Sequence, residues 1–153
     1  MTSPARRLLI TVLKAGTVGF FAMPVVGTAT KPFLSWHVWQ YGKRVAALYI
    51  AEPNAAHLLV QGLLVAWLAA APLVLFVLRR PVASPVLIGA GYGCAYYAAT
   101  NMLTLPLLFG DALPWQQSTA HLVQPLLLHI AFGICVAWVA RRSRRQWLRE
   151  PER

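Results

Sequence analysis

The chain alternates between long apolar stretches and short polar segments, and this pattern predicts four helices that cross a membrane. The apolar stretches run from about 8 to 30, 55 to 78, 85 to 109 and 119 to 140. A helix rises about 1.5 Å per residue, so roughly 20 apolar residues cross the ~30 Å hydrocarbon core of a bilayer. We therefore expect one all-α integral membrane domain over residues 1–153, built as a four-transmembrane-helix bundle.

The first stretch has a second interpretation as a cleaved signal peptide, because it follows a basic start and contains small residues at 27–29. Its apolar part is longer than the ~7 to 15 residues of a signal peptide, and it carries Lys14. A lysine this close to the start of a span reaches the interface through its aliphatic stem. A membrane span is therefore the preferred interpretation.

The loop between the first two spans, residues 31–54, is too short and too charged to cross a membrane. Its Trp36, Trp39 and Tyr49 belong to residue types that are enriched at the headgroup layer. We expect a short helix in this loop, lying in the outer interface.

The composition agrees with a membrane location. Hydrophobic residues make up 58% of the chain and charged residues 12%, about half of the ~25% that is usual in soluble domains. The formal net charge is +10, and the basic residues lie in short clusters between apolar runs. A nucleic-acid-binding protein needs a basic polar face instead, so nucleic acid is not expected as a partner.

The placement of lysine and arginine predicts the topology. If the N-terminus is inside, eleven of the fourteen basic residues fall on inside segments, and only Lys31, Lys43 and Arg44 fall outside. Inside segments of membrane proteins are enriched in Lys and Arg. We expect a protein of the bacterial inner (cytoplasmic) membrane with both termini in the cytoplasm.

Residues 141–153 follow the last span as a basic cytoplasmic tail. An arginine cluster beside a span favours anionic lipid headgroups, which makes Arg141, Arg142, Arg144 and Arg145 candidate headgroup ligands. The simpler interpretation, a topology signal without a bound lipid, is preferred.

Small residues on the third span indicate how the helices pack. Gly89 and Gly93 are four residues apart, and Gly91, Ala95 and Ala99 form a second small stripe. Small faces allow the close backbone approach by which helices associate in lipid. We expect Gly89 and Gly93 to serve helix packing.

Polar residues within the spans are costly in lipid and usually face the interior of a bundle. The candidates are His57, Gln61, Asn101, Thr104, His121, Gln124 and His129. In the expected topology they come from three helices and converge on the outer half of the bundle. His121 and His129 project from one face of the last span because they are eight residues apart.

The last two spans resemble a known family. A span ending in LTLPLLFGDALPW, then a histidine-bearing last span and ARRSRR, resembles the C-terminal half of the YagU-like inner-membrane proteins of bacteria. The second span, HLLVQGLLVAWLAAAPLVLFVL, is similar in its early histidine. The resemblance covers mainly the C-terminal two thirds and implies that His121 or His129 takes the place of the family histidine. The first span lacks the family's acidic residue near its outer end, and the family has no settled activity.

We favour a non-catalytic interaction, accessory or membrane-homeostasis protein, acting as a homo-oligomer or with a membrane partner subunit. Small size and small-residue helix faces favour this hypothesis, since intramembrane polar groups often serve packing. No hydrolase or transferase motif is present, and Glu52 and Asp111 stand isolated in loops. We therefore expect no catalytic residue, metal or cofactor.

Two alternatives remain. One is a histidine-dependent proton or small-solute conductor that responds to pH, although no Asp or Glu lies in the spans to complete a relay. The other is a haem b protein in which His57 and a histidine of the last span supply the axial imidazoles. Cys94 and Cys135 lie within apolar runs, and whether they meet is left open.

Overall fold

The computed structural model describes residues 3–33, 41–116 and 120–149, and all regular structure in these ranges is helical. In chain order the elements are α1 (Pro4–Thr30), α2 (Tyr41–Ala47), α3 (Ala55–Arg79), α4 (Pro85–Tyr97), a π-helix (Ala98–Thr104), α5 (Leu105–Phe109), a 3-10 helix (Pro114–Gln116) and α6 (Ala120–Arg149). Three of them, α1, α3 and α6, are long and apolar enough to cross a membrane. The prediction of an all-α protein is confirmed for the described residues, and three helices have the length and apolar composition that a membrane span needs.

The long helices begin where the sequence supplies a capping side chain. Ser3 accepts a hydrogen bond from the backbone N–H of Arg6 at the start of α1. Asn54 precedes α3 and Ser84 precedes α4, and each accepts from a backbone N–H in the first turn of its helix. Short polar side chains satisfy the N–H groups that a helix leaves free at its start. These caps explain why the predicted second and third stretches start at the observed residues.

The α4 helix, the π-helix and α5 follow one another without a break, and we call them together the 85–109 helix. In the π-helix each carbonyl bonds five residues ahead, as from Leu105 N–H to Thr100 O. Pro106 comes next, and a proline lacks the N–H of an α-helical bond and crowds the carbonyl four residues back. Pro106 lies in the first turn of α5, directly after the π-helix.

The helix α6 is the centre of the packing, with α4 on one side and α1 and α3 on the other. The α1 and α3 helices run antiparallel, because Gly16 faces Trp67 and, one turn later, Phe20 faces Gly62. The α4 and α6 helices are also antiparallel, because Gly89 faces Gly133 and Gly93 faces His129. Two ends result. At the basic end α1 and α4 begin and α3 and α6 finish, and at the opposite end α1 and α5 finish and α3 and α6 begin.

Many small side chains are buried between the helices and many large apolar side chains are exposed, unlike the arrangement in a soluble protein. Much of the buried core consists of alanines on three helices: Ala15, Ala66, Ala69, Ala70, Ala137 and Ala140. Large apolar residues face outward along the helices, among them Val25, Leu64, Leu68, Leu87 and Leu107. Helices that associate in lipid pack through small residues and leave large apolar residues outside. This distribution is typical of a membrane protein.

The closest helix contact lies between α4 and α6. A Cβ atom added at Gly89 would lie 2.5 Å from the carbonyl oxygen of Gly133, and one added at Gly93 would overlap the carbonyl oxygen of His129. Only glycine leaves room for the facing backbone at these positions. Gly91 lies on the exposed side, where an added Cβ meets nothing within 4 Å.

Two segments bear on the predicted loop and tail. The loop after α1 contains a short helix, α2, while Trp36 and Trp39 lie outside the described residues. The helix α6 runs to Arg149, so the helical conformation continues past the predicted end of the last span near 140 into the segment predicted as the basic tail. No glycine or proline interrupts residues 141–149, and arginine, glutamine and leucine are good helix formers.

Candidate functional site

His129 lies on α6 where this helix crosses α4, and only 9% of it is exposed. Its Nδ1 is 2.7 Å from the carbonyl oxygen of Pro125, which can only accept, so Nδ1 carries the proton. Its Nε2 is 3.0 Å from Nδ2 of Asn101 and accepts a hydrogen bond from that amide. These partners assign a neutral imidazole of defined tautomer.

Asn101 stands in the π-helix, and its amide is oriented by Thr100. The Thr100 hydroxyl donates to the Tyr96 carbonyl at 2.7 Å, which leaves its oxygen to accept from Asn101 Nδ2 at 2.9 Å. The two N–H groups of the amide are thus directed to Thr100 and His129. Every hydrogen-bond donor in this network therefore has an acceptor, and none of the groups in the network is charged. Within the described residues, no buried side-chain nitrogen or oxygen lacks a hydrogen-bond partner.

Two tyrosines from the last turn of α4 enclose the imidazole. The ring centroids of Tyr96 and Tyr97 lie 5.6 and 5.2 Å from that of His129. Tyr97 is 4% exposed, so the imidazole is shielded from the surroundings of the bundle on this side. We call His129, Asn101, Thr100 and the two tyrosines the His129 cluster.

A second buried contact joins the last helix to the first. Gln124 is 1% exposed, and its Nε2 lies 3.3 Å from Oγ1 of Thr30 and 3.5 Å from the carbonyl oxygen of Gly27. The Thr30 hydroxyl in turn donates to the Val26 carbonyl at 2.9 Å. Gln124 therefore holds α6 against α1 near the opposite end.

The other predicted polar residues have separate, local roles. His57 is exposed at the start of α3, where its Nδ1 accepts from the backbone N–H of Asn54 at 3.3 Å. Gln61 accepts from the hydroxyl of Tyr49 at 2.5 Å and donates to a carbonyl of α2. The Thr104 hydroxyl bonds to its own helix. The structure thus brings Asn101 and His129 together, but gives His57, Gln61 and Thr104 other partners.

Of the remaining predicted residues, the His121 side chain lies outside the described part of the structure. Sequence reasoning did not single out Thr30, Tyr96 or Tyr97 as members of the buried clusters. The pattern offered one signal for Tyr97, which precedes Asn101 by four residues and so shares its helix face.

The short helix α2 is fastened to the turn after α5, at the opposite end. The guanidinium group of Arg44 pairs with the Asp111 carboxylate and lies 4.2 Å from the centroid of the Phe109 ring. The Tyr41 hydroxyl donates to the same carboxylate at 3.2 Å. Burial raises the pKa of Tyr41 to about 12, and its hydrogen bond to Asp111 adds to the shift. Asp111 is therefore not the isolated loop acid that the sequence predicts.

A basic groove of about 410 Å³ opens at the basic end, between the start of α4 and the last turns of α6. It is lined by Pro85, Trp138, Arg141, Arg142, Arg145, Gln146 and Arg149. Arg144 instead donates through Nε to the Leu78 carbonyl near the end of α3, at 3.2 Å. Three of the four predicted headgroup arginines thus line the groove, and the fourth satisfies a carbonyl at a helix end.

No protein-family model, curated protein or solved structure matches this chain. The resemblance to YagU-like proteins therefore stays a prediction. The function has to be inferred from the residues and contacts of this molecule.

The histidines that the haem alternative would use have protein partners in this structure. A haem iron at Nε2 of His129 would displace Asn101, and His57 is bonded to the backbone of its own helix cap. Cys94 and Cys135 are free thiols. Among the residues described, no group of three or more His, Cys, Asp or Glu is arranged to hold a metal ion.

Proposed function

We propose that this chain is a four-span protein of the bacterial inner membrane with both termini in the cytoplasm. We further propose that it acts without catalysis, as an accessory or interaction protein whose partner is another membrane subunit or a second copy. The first support is that α1, α3 and α6 have membrane-crossing length, and that many large apolar side chains are exposed along α1 and α3.

The 85–109 helix supports a fourth span. It is continuous, it packs along α6, and it exposes Leu87, Leu103 and Leu107 along its length. Its backbone bonds are made within the helix even at the π-helix, as lipid requires of a spanning segment.

The charge distribution supports the orientation. The basic end holds arginines from the start of α1, the end of α3 and the end of α6, and the Arg144 contact with Leu78 joins two of these groups. The opposite end has Arg44, Lys31 and Lys43, and the Asp111 carboxylate neutralises Arg44. The positive-inside rule then favours a cytoplasmic basic end.

The observation that carries the non-catalytic role is the neutral His129 cluster. The Nε2 of His129 is bonded to the Asn101 amide, and its Nδ1 is bonded to the Pro125 carbonyl. Neither of these partners exchanges protons near neutral pH. Such a network links α6 to the 85–109 helix as a packing contact. It does not form the chain of titratable groups that a proton relay uses.

Reporter fusions test the topology. We expect a green fluorescent protein fused after Arg149 to fluoresce and an alkaline phosphatase there to be inactive, with the reverse result for fusions after Ala112. The same result at both positions would contradict a membrane crossing by α6.

Proton flux into liposomes tests the function. Purified wild-type protein is reconstituted, and the internal pH is followed after an external acid pulse. The proposal predicts the flux of empty liposomes. A flux that His129→Leu abolishes while Thr104→Val leaves it unchanged would instead establish a conductor.

A further inference from the structure

The last turns of α6 present a stripe of arginines on the face that borders the basic groove. Trp138, Arg142, Arg145 and Arg149 follow one another at intervals of three or four residues, which places them on one side of the helix. Trp138 is 55% exposed at the membrane side of the stripe. Arg149 lies about 16 Å further along the helix axis.

The groove has one sign of charge. Four guanidinium groups line it, and the carboxylates within the described residues, Glu52 and Asp111, lie at the opposite end. Including Glu150 and Glu152, the segment 141–153 carries six arginines against two acids. A cleft lined by charges of one sign concentrates ions of the other sign.

The two walls of the groove add to this preference. On one side Pro85 begins α4, whose N-terminal end has a positive partial charge from the helix dipole. On the other side the Arg142 guanidinium lies 5.9 Å from the centroid of the Trp138 ring. Tryptophan favours the level between headgroups and acyl chains, so the groove extends from the apolar layer into the headgroup layer.

We propose that this groove binds a cytoplasmic-leaflet phospholipid that carries two phosphodiester groups, as cardiolipin does. Guanidinium groups match phosphate oxygens with paired, charge-assisted hydrogen bonds. One phosphodiester has a single negative charge, so a lipid with two neutralises more of the arginine stripe than a lipid with one. The inference rests on the proposed membrane insertion and on the cytoplasmic position of the basic end.

The test is native mass spectrometry of the full chain in detergent, titrated with cardiolipin, phosphatidylglycerol or phosphatidylethanolamine. We expect one cardiolipin per chain, bound more tightly than phosphatidylglycerol, with no retained phosphatidylethanolamine. The variant Arg142→Gln/Arg145→Gln removes two of the four guanidinium groups that line the groove, and with them their charge-assisted hydrogen bonds to phosphate, so it should lose at least about tenfold in cardiolipin affinity.

The matched control is Arg79→Gln/Arg80→Gln, which removes the same charge from the same end but outside the groove. It should keep most of the cardiolipin affinity. Equal losses in both variants would mean attraction by the end as a whole and would overturn the groove as a site. If inorganic phosphate displaced bound cardiolipin as completely as excess cardiolipin does, the groove would be a site for a soluble anion. That result would overturn the proposal that it binds a lipid.

Folding and topology are measured on the same variants. Should the double variant not fold, Arg145→Gln alone tests the same groove with a smaller loss. A wild-type topology without selective cardiolipin binding overturns this inference alone. A C-terminal fusion found outside the cytoplasm overturns the proposed function, whatever the affinity in detergent.

Discussion

The His129 tautomer follows from one neighbour, the Pro125 carbonyl, because a carbonyl oxygen can accept a hydrogen bond but cannot donate one. With Nδ1 protonated, Nε2 has to accept, and Asn101 supplies the N–H. The amide itself is oriented by Thr100, whose own proton goes to the Tyr96 carbonyl. Each group in this series of hydrogen bonds thus orients the next one. The loss of any one of them leaves a buried polar group without a hydrogen-bond partner.

A double-mutant cycle on Asn101 and His129 measures this dependence. Interhelical hydrogen bonds in membranes contribute about 0.5 to 2 kcal/mol, so Asn101→Leu and His129→Leu should each lower the free energy of unfolding by an amount in that range. The double variant should lose less than the sum of the two, because the second change removes a group already unpaired. Thr104→Val is the control, since this exposed hydroxyl bonds only to its own helix. Additive losses in detergent unfolding would show that the two side chains are not coupled.

Ionisation of the Tyr41 phenol makes the free energy of unfolding depend on pH in the alkaline range. Its pKa is about 12 in the folded protein against about 10 for a free tyrosine, so folding favours the neutral phenol. That contribution is complete below pH 10 and is lost as the pH rises from about 10 to about 12. Ultraviolet difference titration of the wild type and Tyr41→Phe should isolate one tyrosine that ionises near the upper value. A difference signal centred near pH 10 would contradict the buried contact with Asp111.

At this scale the sequence predicted which residues are costly in lipid, but not which of them meet. Polarity within apolar runs identified Asn101, Gln124 and His129, whereas their partners depend on helix register and crossing. The pairing of Arg44 with Asp111 joins segments 67 residues apart, and no local pattern marks it.

At the scale of helices, the glycines of α4 act through the backbone of α6. The carbonyl of His129 occupies the space that a side chain at Gly93 would need. In the same way, the carbonyl of Gly133 occupies the space that a side chain at Gly89 would need. The 85–109 helix can therefore approach α6 closely enough for Asn101 to reach the imidazole. Packing and hydrogen bonding along this interface are thus parts of one arrangement.

Alanine substitutions at two glycines of α4 separate packing from helix propensity. Gly93→Ala should lower the free energy of unfolding by about 1 to 3 kcal/mol, because the new methyl group overlaps the facing backbone. Gly91→Ala should be neutral or raise it by up to about 1 kcal/mol, since its site is open and alanine favours the helix. Thermal unfolding in detergent compares the two variants. Equal effects would contradict the α4–α6 contact.

Helix positions were predicted well where apolar runs begin after capping residues, as at Asn54 and Ser84. The π-helix could not be predicted, because it differs from an α-helix only in its hydrogen-bond register and has no composition of its own. The last span was predicted to finish near 140 because the run of hydrophobic residues stops there, and α6 itself continues beyond that point. Helix propensity continues to Arg149, and in the structure it determines the end.

At the scale of the whole molecule, the placement of side chains by size is the main argument for lipid as the surrounding medium. Alanine and glycine make many of the contacts among the helices, beside a few larger core residues such as Leu73 and Phe132, and many leucines and valines lie on the outside. A soluble bundle of this size would bury the larger residues, since their removal from water stabilises it most. The alternation of apolar and polar segments predicted helices of membrane-crossing length, but not that α6 would lie at the centre.

Two exposed leucines test the surrounding medium directly. Leu68, in the middle of α3, and Leu148, in the last turns of α6, are 75% and 69% exposed and would tolerate arginine equally in water. In a membrane, arginine at the centre of a span costs about 2.5 to 3.5 kcal/mol of insertion free energy, whereas Leu148 lies in the headgroup layer or beyond. We therefore expect Leu68→Arg to reduce the membrane-inserted fraction strongly and Leu148→Arg to leave it near that of the wild type. Carbonate extraction followed by immunoblotting measures that fraction, and equal recovery of the two variants would contradict a transmembrane α3.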